Sequence, residues 1–328
     1  MNQTKYGIIS DVHGNPRAVS LAVEVLMKEG VEKLLVNGDI GDRQPTLQRS
    51  QDYIAVILDA IGKSGLEAYV QPGSHETIYA YKPVLDFFTD KYSNIIDTIE
   101  NTFRKEKEHD LIFIPGSDWV SGGEFRIGTE LDSGMYIATE QGPIEMESFE
   151  QYESMVRNRT AGGIFYYKNM NDIKDDINDS EKTIVVCHVP RKFNNLENAV
   201  DMAEFGEAVE DFNLNDKPIE KGSVLPMPFA KKVVGAGAPV TLKKENRGNE
   251  DLKKLYEELR IAKAITGHFH ESGHRANDSE GNFVKEGEFT NNLFWNSGWL
   301  DAGQTGILTV EGEKVSYRNI RLQDYLNK

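Results

Sequence analysis

The chain has 328 residues with 53 acidic and 37 basic side chains, a formal net charge of -16, 39% hydrophobic and 27% charged residues, and one cysteine. That balance excludes general disorder and an intramolecular disulfide framework, and it opposes the wrapping of extended nucleic acid by phosphate neutralisation. No apolar stretch approaches the roughly 20 residues that cross a bilayer and no long apolar leader opens the chain, so no membrane partner is expected. The lone Cys187 suits a reducing compartment, and cytoplasm is the expected location.

The predicted elements begin with a strand over Tyr6–Ser10. Ala18, Leu21, Ala22, Val25 and Leu26 then follow helical spacing, with Asn15 predicted as N-cap, Pro16 as the first helical residue and Gly30 as the stop. Lys33–Asn37 predicts a second strand, Leu47–Gly62 a helix and Leu66–Val70 a third strand. This β-α-β-α-β order implies parallel pairing with right-handed crossovers. The rhythm is lost over about 117–182 and 191–260, two polar stretches predicted as insertions or cap elements within one catalytic domain spanning 1–328. Between and after them, Lys182–Cys187 and Ile261–Thr266 read as core strands, and Leu293–Asn296, Gly306–Val310 and Val315–Ile320 as closing strands, the last two joined by a hairpin through Gly312.

The residues with chemistry follow the C-terminal ends of predicted strands, the edge at which open α/β sheets gather their sites. DVH supplies Asp11 and His13, two apart and so on one side of extended backbone. GDIGDR supplies Asp39, Asp42 and Arg43; GSHE supplies Ser74, His75 and Glu76; CHVP supplies His188; GHFH supplies His268 and His270. Singly, each segment also reads as a helix cap, a polar turn or a first helical turn. Together they hold five of the seven histidines in strand-end loops, which scattered core or solvated histidines would not do. Imidazole and carboxylate donors without thiolate suit Mn²⁺, Fe, Zn²⁺ or Ni²⁺.

The order and wording of these segments resemble the calcineurin-like metallophosphoesterase family, whose pattern runs DxH, GDxxDR, GNH[DE], H and GHxH, over Asp11 to His270. The resemblance implies a β-sandwich of two mixed sheets flanked by helices, and two divalent metal ions. By matching motif, Asp11, His13 and His270 would hold the first ion, Asp39 would bridge, and His188 with His268 would hold the second. Where the family has a ligating asparagine this chain has Ser74, a poorer neutral donor of shorter reach. His75 would protonate the leaving group with Asp42 orienting its ring.

Arg43 and Arg191 lie next to site loops and could neutralise substrate oxygens, although a surface role fits both equally. The expected function is hydrolysis of a small phosphate ester, a phosphodiester slightly favoured because GHFHES resembles the phosphodiesterase-like branch. The alternative, motivated by Ser74 alone, is a catalytically weakened member that binds or regulates. Retention of His75 and Asp42 argues against it. VVGAGAP at 233–239 lacks phosphate-loop spacing and reads as a flexible loop, while Lys231, Lys232, Lys243, Lys244 and Arg247 read as a solvated face. His274 fits a position beside the site or at the surface, and Trp119, Trp295 and Trp299 fit core anchors better than base-stacking platforms.

Overall fold

The computed structural model describes residues 3–118, 123–214 and 217–326. It opens with β1 (Thr4–Ile9), α1 (Ala18–Lys28), β2 (Lys33–Asn37), α2 (Leu47–Ser64), β3 (Glu67–Gln71), α3 (Ile78–Lys91) and β4 (Ile95–Asp97). β1 to β4 pair in parallel. In β2, Leu34 and Val36 pack under the helices while Leu35 faces the opposite way. Apolar residues on both faces are what a parallel strand covered on both sides requires.

β5 (Phe103–Lys105) and β6 (Asp110–Ile114) open a second sheet. The stretch over 117–182 holds β7 (Phe125–Gly128), β8 (Gly134–Thr139), β9 (Gly142–Glu145), α4 (Phe149–Arg157) and β10 (Ile164–Asn169). After β11 (Thr183–Cys187) come β12 (Met202–Ala208), β13 (Phe212–Leu214), β14 (Lys217–Ile219), β15 (Val224–Pro226), α5 (Met227–Gly235), β16 (Val240–Asn246) and α6 (Glu250–Leu259). β17 (Lys263–Thr266), β18 (Ala276–Asn277), β19 (Leu293–Asn296), β20 (Gln304–Glu311) and β21 (Lys314–Arg321) complete the chain.

Two six-stranded mixed sheets result, ordered β21-β20-β1-β2-β3-β4 and β18-β19-β17-β11-β6-β5. Tyr6, Leu35 and Tyr69 of the first meet Phe113, Val186, Ile265 and Trp295 of the second in one buried layer. Trp295 is the core anchor expected of it, fully buried with its indole N–H donated to Asn319 at 3.0 Å. α1, α2 and α3 cover the outer face of the first sheet, and Leu252, Leu255 and Tyr256 of α6 cover that of the second. This is the helix-flanked sandwich that the sequence predicts. Among the described residues no helix is long and apolar enough to cross a membrane.

The stretches where the rhythm fails are largely antiparallel. β7-β10-β8-β9 form one small sheet and β15-β12-β16 another, the latter with its own cluster of Leu225, Ala230, Val233 and Val240. α6, inside the second polar stretch, nonetheless packs on the main sandwich.

Two local expectations are corrected. α1 starts at Ala18 with Arg17 in the cap position and no capping side chain, because Asn15 is drawn into a turn whose N–H is held by Asp301. VVGAGAP is not all loop, since Val233–Gly235 form the last turn of α5. Lys243 pairs with Glu207, and Arg247 lies over the Phe205 ring.

His109 is buried with its Nε2 2.7 Å from the Tyr6 hydroxyl, and burial pushes its pKa down to about 4. An unfolded chain protonates this histidine near 6.5, so its contribution to stability is complete above that pH and is lost as pH falls toward 4. His109→Gln keeps a hydrogen-bonding side chain that does not titrate. The stability advantage of the wild type over this variant should shrink on the order of 2 kcal/mol between pH 7 and 4.5 in denaturant melts. A constant difference across that range would contradict the assignment of a buried neutral imidazole.

Candidate metal centre

Three turns aim the site. Asp11 after β1, Asp39 after β2 and His268 after β17 have φ of 58°, 51° and 68°, left-handed backbone that non-glycine residues adopt at a cost of roughly 1–3 kcal/mol each. The turns are knitted together: Val12 N–H donates to the Asp39 carbonyl at 2.6 Å and Gly267 N–H to that of His188 at 3.0 Å. Two glycines permit this closeness. A Cβ at Gly73 would lie 2.4 Å from Asp39 Oδ1, and one at Gly267 2.4 Å from Asp11 Oδ2.

The side chains converge as overlapping trios. Asp11, His13 and His270 form one and Asp39, His188 and His268 another, the donor atoms of each lying within 4.8 Å of one another. His13, Asp39 and His75 form a third such group, so His75 also comes within reach of the cluster. His270 Nε2 is 3.2 Å from both Asp11 Oδ1 and His13 Nε2, and His13 Nε2 is 3.7 Å from Asp39 Oδ2. His188 donates from Nδ1 to the Asn37 carbonyl at 2.8 Å, which turns Nε2 to within 3.1 Å of Asp39 Oδ2. That nitrogen is buried with no hydrogen bond. A buried imidazole nitrogen aimed at a buried carboxylate, with more imidazoles converging, fits a divalent cation.

Electrostatics follow from burial. Desolvation favours the neutral form of Asp39, but the charge of His188 beside it outweighs this and holds the carboxyl well below its usual range. In the same pair burial opposes charging of His188, yet Asp39 lifts its pKa to about 10. Burial and the nearby His188 charge push His268 down to about 4. Burial also lowers His13, while the hydrogen bond to Asp11 overcomes burial to raise His270.

Ser74 sits against the shared carboxylate. Its N–H donates to Asp39 Oδ1 and its hydroxyl to Asp39 Oδ2 at 2.9 Å, and His75 N–H also donates to Oδ1 at 3.0 Å. His75 is partly exposed, with Nδ1 3.5 Å from Asp42 Oδ1 and its ring 4.3 Å from that of His13. Arg43 is exposed beside Asp42, to which its N–H donates. Arg191 is a correction. Its guanidinium lies over Phe193 and Phe294 at 4.5 and 4.9 Å and donates to the Ser279 carbonyl, so it is held in the helix-side core rather than brought to the cluster. His274 is held by the Thr305 carbonyl at 2.9 Å, and Trp119 lies outside the described residues.

Three supporting roles escape the sequence. The Asp301 carboxylate accepts the N–H groups of His13, Gly14 and Asn15 at 2.9, 2.6 and 3.0 Å and so fixes the loop that carries His13. Trp299 stacks flat on His270, 4.5 Å between centroids, a positioning contact rather than the core role expected. Glu76 is buried and accepts from Ile40, Gly41 and Gly73, clamping the loops after β2 and β3 together. Glu76 was visible in GSHE as a helix-start residue, whereas no local pattern marks Asp301 or Trp299.

The sequence pattern described as calcineurin-like phosphoesterase matches residues 4–272. No curated protein matches the chain. The crystal structure of TT1561 of Thermus thermophilus aligns with 98% of this chain and 100% of its own at TM-score 0.53 and 11% identity, a likeness of fold. A dimetal phosphatase from Danio rerio aligns with 97% of this chain and 99% of its own at TM-score 0.46 and 12% identity.

Removal of the Asp301 carboxylate tests the brace. Asp301→Ala should fold, by circular dichroism, yet bind Mn²⁺ about 10- to 100-fold more weakly in calorimetry, the usual cost of losing a partner that orients a ligand. Unchanged affinity would mean that the loop carrying His13 holds its shape without it.

Proposed function

The chain belongs to the calcineurin-like phosphoesterase family, and from that premise we propose that it hydrolyses small phosphate esters with two divalent cations, a phosphodiester in preference to a phosphomonoester. The observation that carries the reading is the meeting of two donor trios at Asp11 and Asp39, with His188 Nε2 buried and unbonded between them. In this reading Asp11, His13 and His270 hold one cation, His188 and His268 the other, and Asp39 serves both. Mn²⁺ is the first ion to try, with Fe, Zn²⁺ and Ni²⁺ equally compatible with the donors. Bound cations would supply Lewis-acid polarisation of the phosphoryl group and water acidified to near neutral pH.

The chain's own residues do the rest. His75, with Nδ1 3.5 Å from Asp42 Oδ1, keeps its other ring nitrogen to protonate a departing oxygen. Arg43, exposed at the same rim, meets a substrate oxygen. Arg191 is left out, because its aromatic clamp occupies it. Ser74 keeps a role that needs no amide, since both its N–H and its hydroxyl orient Asp39. This weakens the case for a binding protein that has lost catalysis. We read 1–328 as one catalytic domain acting in the cytoplasm, with the preference for diesters supported by the GHFHES wording.

Chelation should abolish hydrolysis, and added Mn²⁺ should restore it. His75→Ala should lower turnover by about 10²–10⁴ on an ester with an alkoxide leaving group and much less on a nitrophenyl ester, which needs no proton. Equal losses on both substrates, or loss of bound metal, would make His75 a ligand instead of an acid.

A further inference from the structure

Beside His75 the surface opens into a recess of about 380 Å³ between the first turns of α2 and α3. It shares Arg43 and Thr77 with the wall of a narrow crevice lined by Asp42 and His75, which sets it next to His75 at the rim of the cluster. Two lining residues are informative. Tyr79 is 43% exposed and lines the recess, its ring 6.3 Å from that of Phe149, itself 49% exposed, so a part-exposed aromatic ring stands at the recess. Glu124 accepts the Ile78 N–H at 2.7 Å through Oε2 and, among the described residues, makes no hydrogen bond through its other oxygen.

We propose that this recess is the leaving-group subsite and that Tyr79 and Glu124 make it specific for a planar ring bearing an N–H donor, as a nucleobase does. The proposal rests on the phosphoesterase reading above. A ring gains stacking on Tyr79 that an alkyl group cannot. A ring without donors covers the Glu124 carboxylate and leaves it unpaired, which is the penalty that gives polar sites their discrimination. An anionic leaving group meets the charge of Glu124.

The test uses the full chain with Mn²⁺ and a chromogenic bis(4-nitrophenyl) phosphate reporter. Methyl phosphate diesters of methanol, phenol and guanosine compete with it. Inhibition constants should fall roughly tenfold from methyl to phenyl and again from phenyl to guanosine. Tyr79→Ala should compress the first ratio, while Glu124→Gln, whose amide oxygen still accepts the Ile78 N–H, should compress only the second. Ratios unchanged in both variants, or a wild type that treats the three alike, would overturn the proposal while leaving the phosphoesterase reading intact. If the wild type turns over no reporter with any of the four metals, the phosphoesterase reading fails. Calorimetric binding of the same three esters then reads the recess by itself, with the same ratios expected and equal affinities overturning it.

Discussion

A carboxylate buried beside several imidazoles is the constraint on which this molecule is organised. Asp39 is almost fully buried, and a charge in that position is tolerated only if it is paired and hydrogen-bonded. The Ser74 and His75 amides and the Ser74 hydroxyl come from the loop after β3, His188 from the loop after β11, and Asp39 itself from the loop after β2. No single sheet delivers these groups. Two sheets packed face to face, with the C-terminal ends of their parallel strands at one edge, bring them to one point.

The same constraint explains the local costs. Left-handed backbone at Asp11, Asp39 and His268 and the tight approaches at Gly73 and Gly267 are unfavourable in isolation. They persist because surrounding contacts over-determine them. Asp301 gathers three amides of the loop after β1, and Glu76 gathers three amides from two loops. Burial and the neighbouring Asp39 charge push the pKa of Glu76 up to about 7. Asp39 therefore has a rigid frame on the first sheet and meets its imidazole partners across the sandwich. In our account that frame lets one side chain serve two cations.

Much of this was legible because it is written locally. A strand ending in Asp, His or Gly needs only a few residues to declare itself, and β2 and β19 fall where the sequence predicts them. The gathering of five histidines at strand ends was readable from their positions without any knowledge of distances. What was not legible depends on contacts far apart in the chain. Asn15 reads as a helix cap until Asp301, 286 residues away, is seen to hold its N–H. Arg191 reads equally as a phosphate ligand beside a site loop or as a surface residue until its guanidinium is seen packed against the Phe193 and Phe294 rings. Trp299 carries no spacing signal, because its meaning lies in the His270 ring beneath it. The antiparallel elaborations around β8 and β12 lose the β/α rhythm because hairpins with one wet face have no need of it.

The central claim is that one carboxylate serves two metal ions, and equilibrium dialysis of Mn²⁺ against the full chain and its Asp39→Asn variant tests it most directly. The account predicts two tightly bound ions per wild-type chain and weakened binding of both in the variant, with folding retained. One ion per wild-type chain, or two ions held as tightly by the variant, would contradict it.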